Sequence, residues 1–154
     1  MIHTEASIVI KRPIDEVFRL QTDLGRYKDW QDGLVEAAWT SPGPAGVGST
    51  YKFITANAGM RFELPGEIIE WDLPRGWKWK ARSGPITIEG GYRFEPTGQG
   101  TKLTMFSDSE LKGMMKLMPA WLYKYLGERS QKRSLNQLKS LIESGNQHIQ
   151  EAST

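Results

Sequence analysis

The sequence predicts an α+β domain in which one antiparallel sheet is covered on one face by a long C-terminal helix. Three observations carry this. The first residues alternate with period 2, further alternating segments recur between turn signals, and from about Pro119 to Ser144 helix formers run without an internal proline. An antiparallel sheet with one apolar face needs such a helix to bury that face.

Taken in order, Ile2, Thr4, Ala6, Ile8 and Ile10 alternate with His3, Glu5 and Ser7, interrupted only by Val9. This predicts a strand with one buried face. Pro13 presets φ for a first helical position, and Asp15 and Glu16 follow where the positive end of the helix dipole favours carboxylates. Ile14, Val17, Phe18 and Leu24 suit a short helix ended by Gly25, followed by a second short turn carrying Tyr27 and Trp30. From Leu34 onward, about six strands are punctuated by Ser41-Pro-Gly-Pro, Asn57-Ala-Gly, Leu73-Pro-Arg-Gly, Ser83-Gly-Pro and Pro96-Thr-Gly-Gln-Gly. The long helix is expected to end near Gly145, which makes 1–145 one domain and 146–154 a disordered tail.

Composition removes several function classes. With 154 residues and 25% charged, the chain has room for one domain. Net charge is +2 and the basic residues are spread along the sequence, so no nucleic-acid partner is expected. The longest apolar stretch, Leu117 to Tyr123, falls far short of the roughly 20 residues that span a bilayer. The first residues have no basic region followed by an apolar one, and the expected compartment is the cytoplasm. Without cysteine, and with His3 and His148 as the only imidazoles, neither a metal site nor a nucleophilic triad is expected. The runs Gly43-Pro-Ala-Gly-Val-Gly and Gly98-Gln-Gly lack the phosphate-cradling spacings and read as turns, and no cofactor is expected. Glu67 and Glu70 cannot share a face in regular β geometry, and Asp108 and Glu110 fall on the wet face, so each reads as solvated charge.

Strand parity then separates two faces. One carries Tyr51, Phe53, Met60, Phe62, Leu64, Trp77, Trp79, Ile88, Tyr92, Phe94, Met105 and Ser107, and the other carries Lys52, Arg61, Lys78, Lys80, Arg93 and Thr104. So many rings facing one helix enclose more volume than that helix fills, unless the rings simply form core. At roughly 100° per residue, Leu135, Leu138, Leu141 and Ile142 form a stripe that continues through Ser134, Ser130, Gly127 and Tyr123. The stripe thins from leucine to glycine and serine, which predicts a cavity beside the first half of the helix; the alternative is close packing of Gly127 against a strand. Twelve residues are therefore candidates for ligand contact: Tyr51, Phe53, Phe62, Trp77, Trp79 and Ile88, with Tyr92, Met105, Ser107, Tyr123, Gly127 and Ser130. Leu122, Tyr125 and Leu126 project away from this stripe. With Trp121 they call for a kink near Gly127 or a covering contact, by a nearby element such as the short helices first, or else a second copy or a membrane surface.

The segment Ser7-Ile-Val-Ile-Lys-Arg-Pro-Ile-Asp-Glu-Val-Phe, with Asp23 and Tyr27-Lys-Asp-Trp30, resembles the opening of the SRPBCC (START-like) superfamily, in its polyketide cyclase/dehydrase and lipid-transport branch. Gly46-Val-Gly-Ser-Thr-Tyr51, Ile69-Glu-Trp-Asp-Leu-Pro74, Gly100-Thr-Lys-Leu-Thr104 and the terminal helix resemble its later stretches, in order. The resemblance implies a helix-grip fold, a curved seven-stranded sheet around the long C-terminal helix with a deep cavity between them. It carries no catalytic residue onto this chain. The expected function is binding of a hydrophobic or aromatic small molecule, such as a lipid, isoprenoid or polyketide, as carrier or sensor. The alternative is a cyclase- or dehydrase-like enzyme, which needs an ionisable group inside; a bulge at Gly90-Gly91 that turns Arg93 inward would supply one.

Overall fold

In the computed structural model, the alternating segment at the start forms β1 (Ile2–Ile10) at the edge of a seven-stranded antiparallel sheet. Helix α1 (Ile14–Gln21) and a 3-10 helix (Leu24–Asp29) follow, then β2 (Leu34–Trp39), β3 (Thr50–Asn57), β4 (Met60–Asp72), β5 (Gly76–Ser83), β6 (Ile86–Thr97) and β7 (Gly100–Leu111). A second 3-10 helix (Gly113–Leu117) leads into α2 (Ala120–Ser153). The structure describes residues 1–57 and 59–153, except the side chains of 57, 83 and 145–153.

The sheet order is β1-β7-β6-β5-β4-β3-β2, a meander closed by the return of β7 against the first strand. The turns fall where residue chemistry places them, at Leu73-Pro-Arg-Gly, Ser83-Gly-Pro and Pro96-Thr-Gly-Gln-Gly. Gly100, at φ 141°, lies against the backbone of Ile10 and Lys11, where a Cβ would collide. It lets β7 pass close to the end of β1.

Helix α2 runs along β1, one of the two edges of the sheet, and its side chains satisfy three backbone groups at or just beyond that edge. The Glu5 N–H donates to Glu128 Oε2 (3.0 Å), the Lys11 N–H donates to Glu143 Oε1 (3.1 Å), and Lys139 Nζ donates to Val9 O (2.6 Å). An unpaired strand edge otherwise carries a row of unsatisfied donors and acceptors. Burial alone would raise the Glu143 carboxyl, but the Lys11 N–H and the nearby Lys139 and Arg12 cations outweigh it and hold the group below its ordinary 4.5. A carboxyl depressed by folding stabilises above its unfolded pKa, and that stabilisation is lost as pH falls through the folded value. Glu143→Gln is expected to cost about 1 kcal/mol at neutral pH, with the two unfolding midpoints converging as pH falls through the carboxylate range. Urea titrations across that range check it.

The core forms where α1 and the first 3-10 helix meet the concave face. Phe18 packs edge-on against Phe94 (5.3 Å) and Trp71 (6.0 Å), and Tyr27 lies on Trp30 (4.6 Å) and Phe53 (5.6 Å). Leu135, Leu138 and Ile142 of α2 are fully buried beside them.

Several expectations change. Helix α1 ends at Gln21, not Gly25, because the Thr22 hydroxyl donates to Phe18 O (2.9 Å) and the chain tightens into the 3-10 turn. Helix α2 continues past Gly145; the expectation for the side chains of 146–154, His148 included, lies outside the described residues. A bulge between Ile68 and Glu70 inserts one residue into β4, so Glu67 and Glu70 do share the outer face, where they pair with Lys80 (3.6 Å) and Lys78 (3.5 Å). Conversely β6 keeps its register through Gly90 and Gly91. Arg93 therefore points outward, 3.2 Å from Glu5 and over the Phe106 ring at 4.9 Å. Thr104, on the expected wet face, is buried there with its hydroxyl 2.9 Å from that of Ser7.

Candidate ligand cavity

The residues between α2 and the middle of the sheet line a partly open cavity of about 250 Å³. Its apolar side comes from Phe53 and Leu64 on β3 and β4, Trp79 on β5, Ile88 and Tyr92 on β6, and Met105 on β7. Trp79 packs down onto the sheet here because its neighbour is glycine: a Cβ on Gly90 would stand 2.6 Å from Trp79 Cζ2 and 2.8 Å from Phe106 O. The opposite side is polar. Gln131 Nε2 donates to Thr4 Oγ1 (2.8 Å), the Thr4 and Ser107 hydroxyls share a 2.7 Å hydrogen bond, and the Tyr123 hydroxyl donates to Ser109 Oγ (2.8 Å). Ser130 is fixed by donating to Asp32 Oδ2 (3.1 Å), and the Asp32 N–H donates to Ser134 Oγ one turn further along (3.0 Å).

Of the twelve candidates, nine line this cavity: Phe53, Trp79, Ile88, Tyr92, Met105, Ser107, Tyr123, Gly127 and Ser130. Three stand elsewhere. Tyr51 is buried in the aromatic core between Trp39 (6.2 Å) and Phe53 (5.0 Å). Trp77 lies deeper, against Trp71 and Tyr92, with its indole N–H donating to Gln21 Oε1 (2.8 Å). Phe62 shares the parity of Leu64 but sits near the end of the β3–β4 hairpin and is 44% exposed, as Met60 is at 59%. Close approach at Gly127 and a void beside it coexist, since a Cβ there would meet Thr4 Cγ2 at 3.1 Å while the same turn borders the cavity.

Sequence reasoning passed over Thr4, Gln31, Leu64, Phe106, Ser109 and Gln131 as contributors to the wall. Parity had the signal for Thr4 and Ser109, which continue the inward rows of β1 and β7. Gln131 follows the Gly127–Ser130 stripe by one position, but a polar side chain draws no attention in a hydrophobic pattern. Gln31 and Gln131 have a further property, in that the Oε1 of each is buried with no hydrogen-bond partner among the described residues.

No aspartate, glutamate, histidine, lysine or arginine is among the lining residues. The hydroxyls of Tyr27, Tyr51 and Tyr92 are all raised above the usual tyrosine range, chiefly by burial, so they stay protonated at neutral pH. The Tyr27 hydroxyl accepts from Gln21 Nε2 (2.8 Å), which joins Trp77, Gln21 and Tyr27 into one buried chain behind the cavity. His3 lies on the outer face, hydrogen-bonded to Asp108 (2.8 Å) and Glu5 (3.3 Å), and the Asp108 contact foremost raises its pKa above 6.5. Among the described residues no three metal-ligating side chains come together, and no helix is long and apolar enough to cross a membrane.

A curved antiparallel sheet gripping a long C-terminal helix defines the helix-grip class of proteins. The sequence agrees with the architecture. Residues 1–143 match the family described as polyketide cyclase / dehydrase and lipid transport, and the chain belongs to that family. The fold is shared with the protein TTHA0849 from Thermus thermophilus, at TM-score 0.77 and 20% identity over 93% of this chain and 98% of that one. It is also shared with the Zhui aromatase/cyclase from Streptomyces sp. R1128, at TM-score 0.75 and 15% identity over 92% and 93%. One half of the di-domain ARO/CYC StfQ from the steffimycin biosynthetic pathway superposes as well, at TM-score 0.78 and 11% identity over 94% of this chain and 51% of that one. No curated protein matches the chain by comparison. At these identities the likeness is one of fold.

Proposed function

We propose that the protein binds a neutral small molecule, aromatic or otherwise apolar at one end and carrying a hydroxyl at the other, in the cavity between sheet and α2, as a carrier or sensor. The observation that carries this is the composition of the wall: rings and aliphatic side chains on one side, hydroxyls and amides on the other, and no charged side chain. Apolar surface buried against Trp79, Ile88 and Met105 supplies affinity at about 25 cal/mol per Å². Gln31 Oε1 and Gln131 Oε1 supply direction, since a buried acceptor without a donor costs about 1–3 kcal/mol, which a ligand hydroxyl reaching it would recover. Acid–base chemistry has less support. The titratable groups in the wall are two phenols, Tyr92 and Tyr123, and Arg93 faces out.

Calorimetric titration with 2-naphthol and 2-naphthoate tests the reading. The two share one ring system and differ in the charge on the substituent. Bringing a carboxylate into a wall without a cation costs several kcal/mol, so one-to-one binding of the naphthol and affinity about 100-fold lower for the naphthoate are expected. Equal affinities, or no saturable binding of either, would contradict it.

A further inference from the structure

The cavity leaves one strongly marked region of the molecule unused. The second 3-10 helix and the first turns of α2 expose Met114 (85%), Leu117 (81%), Trp121 (71%), Tyr125 (57%) and Leu126 (46%). Among the described residues the nearby cover anticipated for Tyr125 and Leu126 is therefore not formed, since both stay exposed; Leu122 is half-buried. Between these side chains stand Lys112, Lys116, Lys124, Arg129, Lys132 and Arg133, against Glu128 as the one carboxylate, a net of +5 within a chain of net +2. Although lysine and arginine are spread along the sequence, the surplus is concentrated in this stretch. Glu128 is turned to the β1 edge, where it accepts the Glu5 N–H. None of the six cations stands in an ion pair among the described residues, whereas Lys78, Lys80, Arg93 and Lys139 each do.

We propose that this face docks on an anionic lipid bilayer surface. Trp121, Tyr125 and Leu126 would enter the headgroup region, and Lys124, Arg129 and Lys132 would meet lipid phosphates and carboxylates. Large rings and aliphatic chains interleaved with unpaired cations on one helix side match the two attractions of an interfacial segment, apolar burial and anionic charge. The helix adsorbs and does not insert, since its other side is committed to the sheet through Leu135 and Leu138. The same turns carry Tyr123, Gly127 and Ser130 of the cavity wall, so a docked molecule brings that wall to the bilayer. The docking does not rest on which ligand the cavity takes.

The test is co-sedimentation with vesicles of phosphatidylcholine alone and with about 30 mol% phosphatidylserine, at low and high salt, since surface attraction scales with lipid charge and is screened by ions. Binding is expected on the anionic vesicles only, with a blue shift in tryptophan emission that Trp121→Phe diminishes. Each basic residue at the surface contributes about fivefold in partitioning, so Lys124→Gln/Arg129→Gln is expected to lower it about 25-fold. Trp121→Ala/Tyr125→Ala lowers it while leaving the far-ultraviolet circular dichroism and naphthol titration unchanged. Equal binding to both vesicle types, or partitioning indifferent to both double variants, would overturn the proposal. So would a stable dimer that buries Trp121, or capture by an acidic protein without affinity for vesicles.

Discussion

Ser130→Trp is expected to lower the affinity of the cavity for 2-naphthol by about 100-fold, whereas Ser130→Ala is expected to leave it within a few-fold. Ser130 borders the void from α2, opposite the rings of the sheet. An indole at that position covers about 150 Å² of wall, and at about 25 cal/mol per Å² this removes about 4 kcal/mol of apolar contact. A small ligand shifts within the remaining space and recovers part, which brings the expected loss to about 100-fold. The alanine variant separates space from hydrogen bonding. It removes the 3.1 Å bond to Asp32 but leaves the volume open. If the two variants bound alike, the cavity would not be where the ligand sits. Calorimetry on each, with unfolding midpoints alongside, distinguishes a filled pocket from a damaged fold.

The second large effect concerns stability. Trp77→Ala is expected to destabilise the protein by about 3–5 kcal/mol, and Trp77→Phe by about 1–3 kcal/mol. Trp77 is 3% exposed and packs at 5.7 Å from Trp71 and 5.0 Å from Tyr92, so truncation leaves a hole that its ring neighbours cannot fill. Phenylalanine refills most of that hole but has no N–H. Gln21, itself fully buried, then keeps Nε2 donating to Tyr27 and loses the donor to Oε1. Strand parity alone puts Trp77 and Trp79 together, two residues apart on one face, and suggests the same role for both. Urea unfolding separates them: Trp79→Ala is expected to weaken ligand binding with the smaller loss of stability, and Trp77→Ala the reverse. Comparable losses in both would place the two side chains in one environment and contradict the geometry.

The difference between these two tryptophans marks the limit of a sequence pattern. Alternation along β5 states which face a side chain takes, because successive Cβ atoms point to opposite sides of a strand. It does not state what stands above that face. Trp77 lies under α1 through Gln21, Trp79 lies beside the void, and Phe62, with the same inward parity, stands near the end of a hairpin without cover. Gly90 and Gly91 show the same limit. A glycine pair in a strand reads as a bulge, but both strands beside β6 keep register, and the missing side chains instead make room for Trp79 and for the neighbouring backbone. The register shifts that do occur, at Leu34–Glu36 in β2 and at Ile68–Glu70 in β4, contain no glycine to announce them.

What the sequence determined by itself was the order of elements, the seven strands with their turns, the buried face along most of β1, β3, β5, β6 and β7, and the family. These follow from local periodicity, from turn chemistry and from recurring stretches along nearly the whole chain. Only the tertiary structure decided which inward residues form core and which line space, that Glu128, Lys139 and Glu143 close the open edge of β1, and that Trp121, Tyr125 and Leu126 stay uncovered. The physical reason is the same in each case. Alternation is a property of one strand and its own backbone. Depth and cover depend on where α1 and α2 cross a curved sheet, which is settled by contacts between residues as far apart in sequence as Thr4 and Gln131 or Gln21 and Trp77.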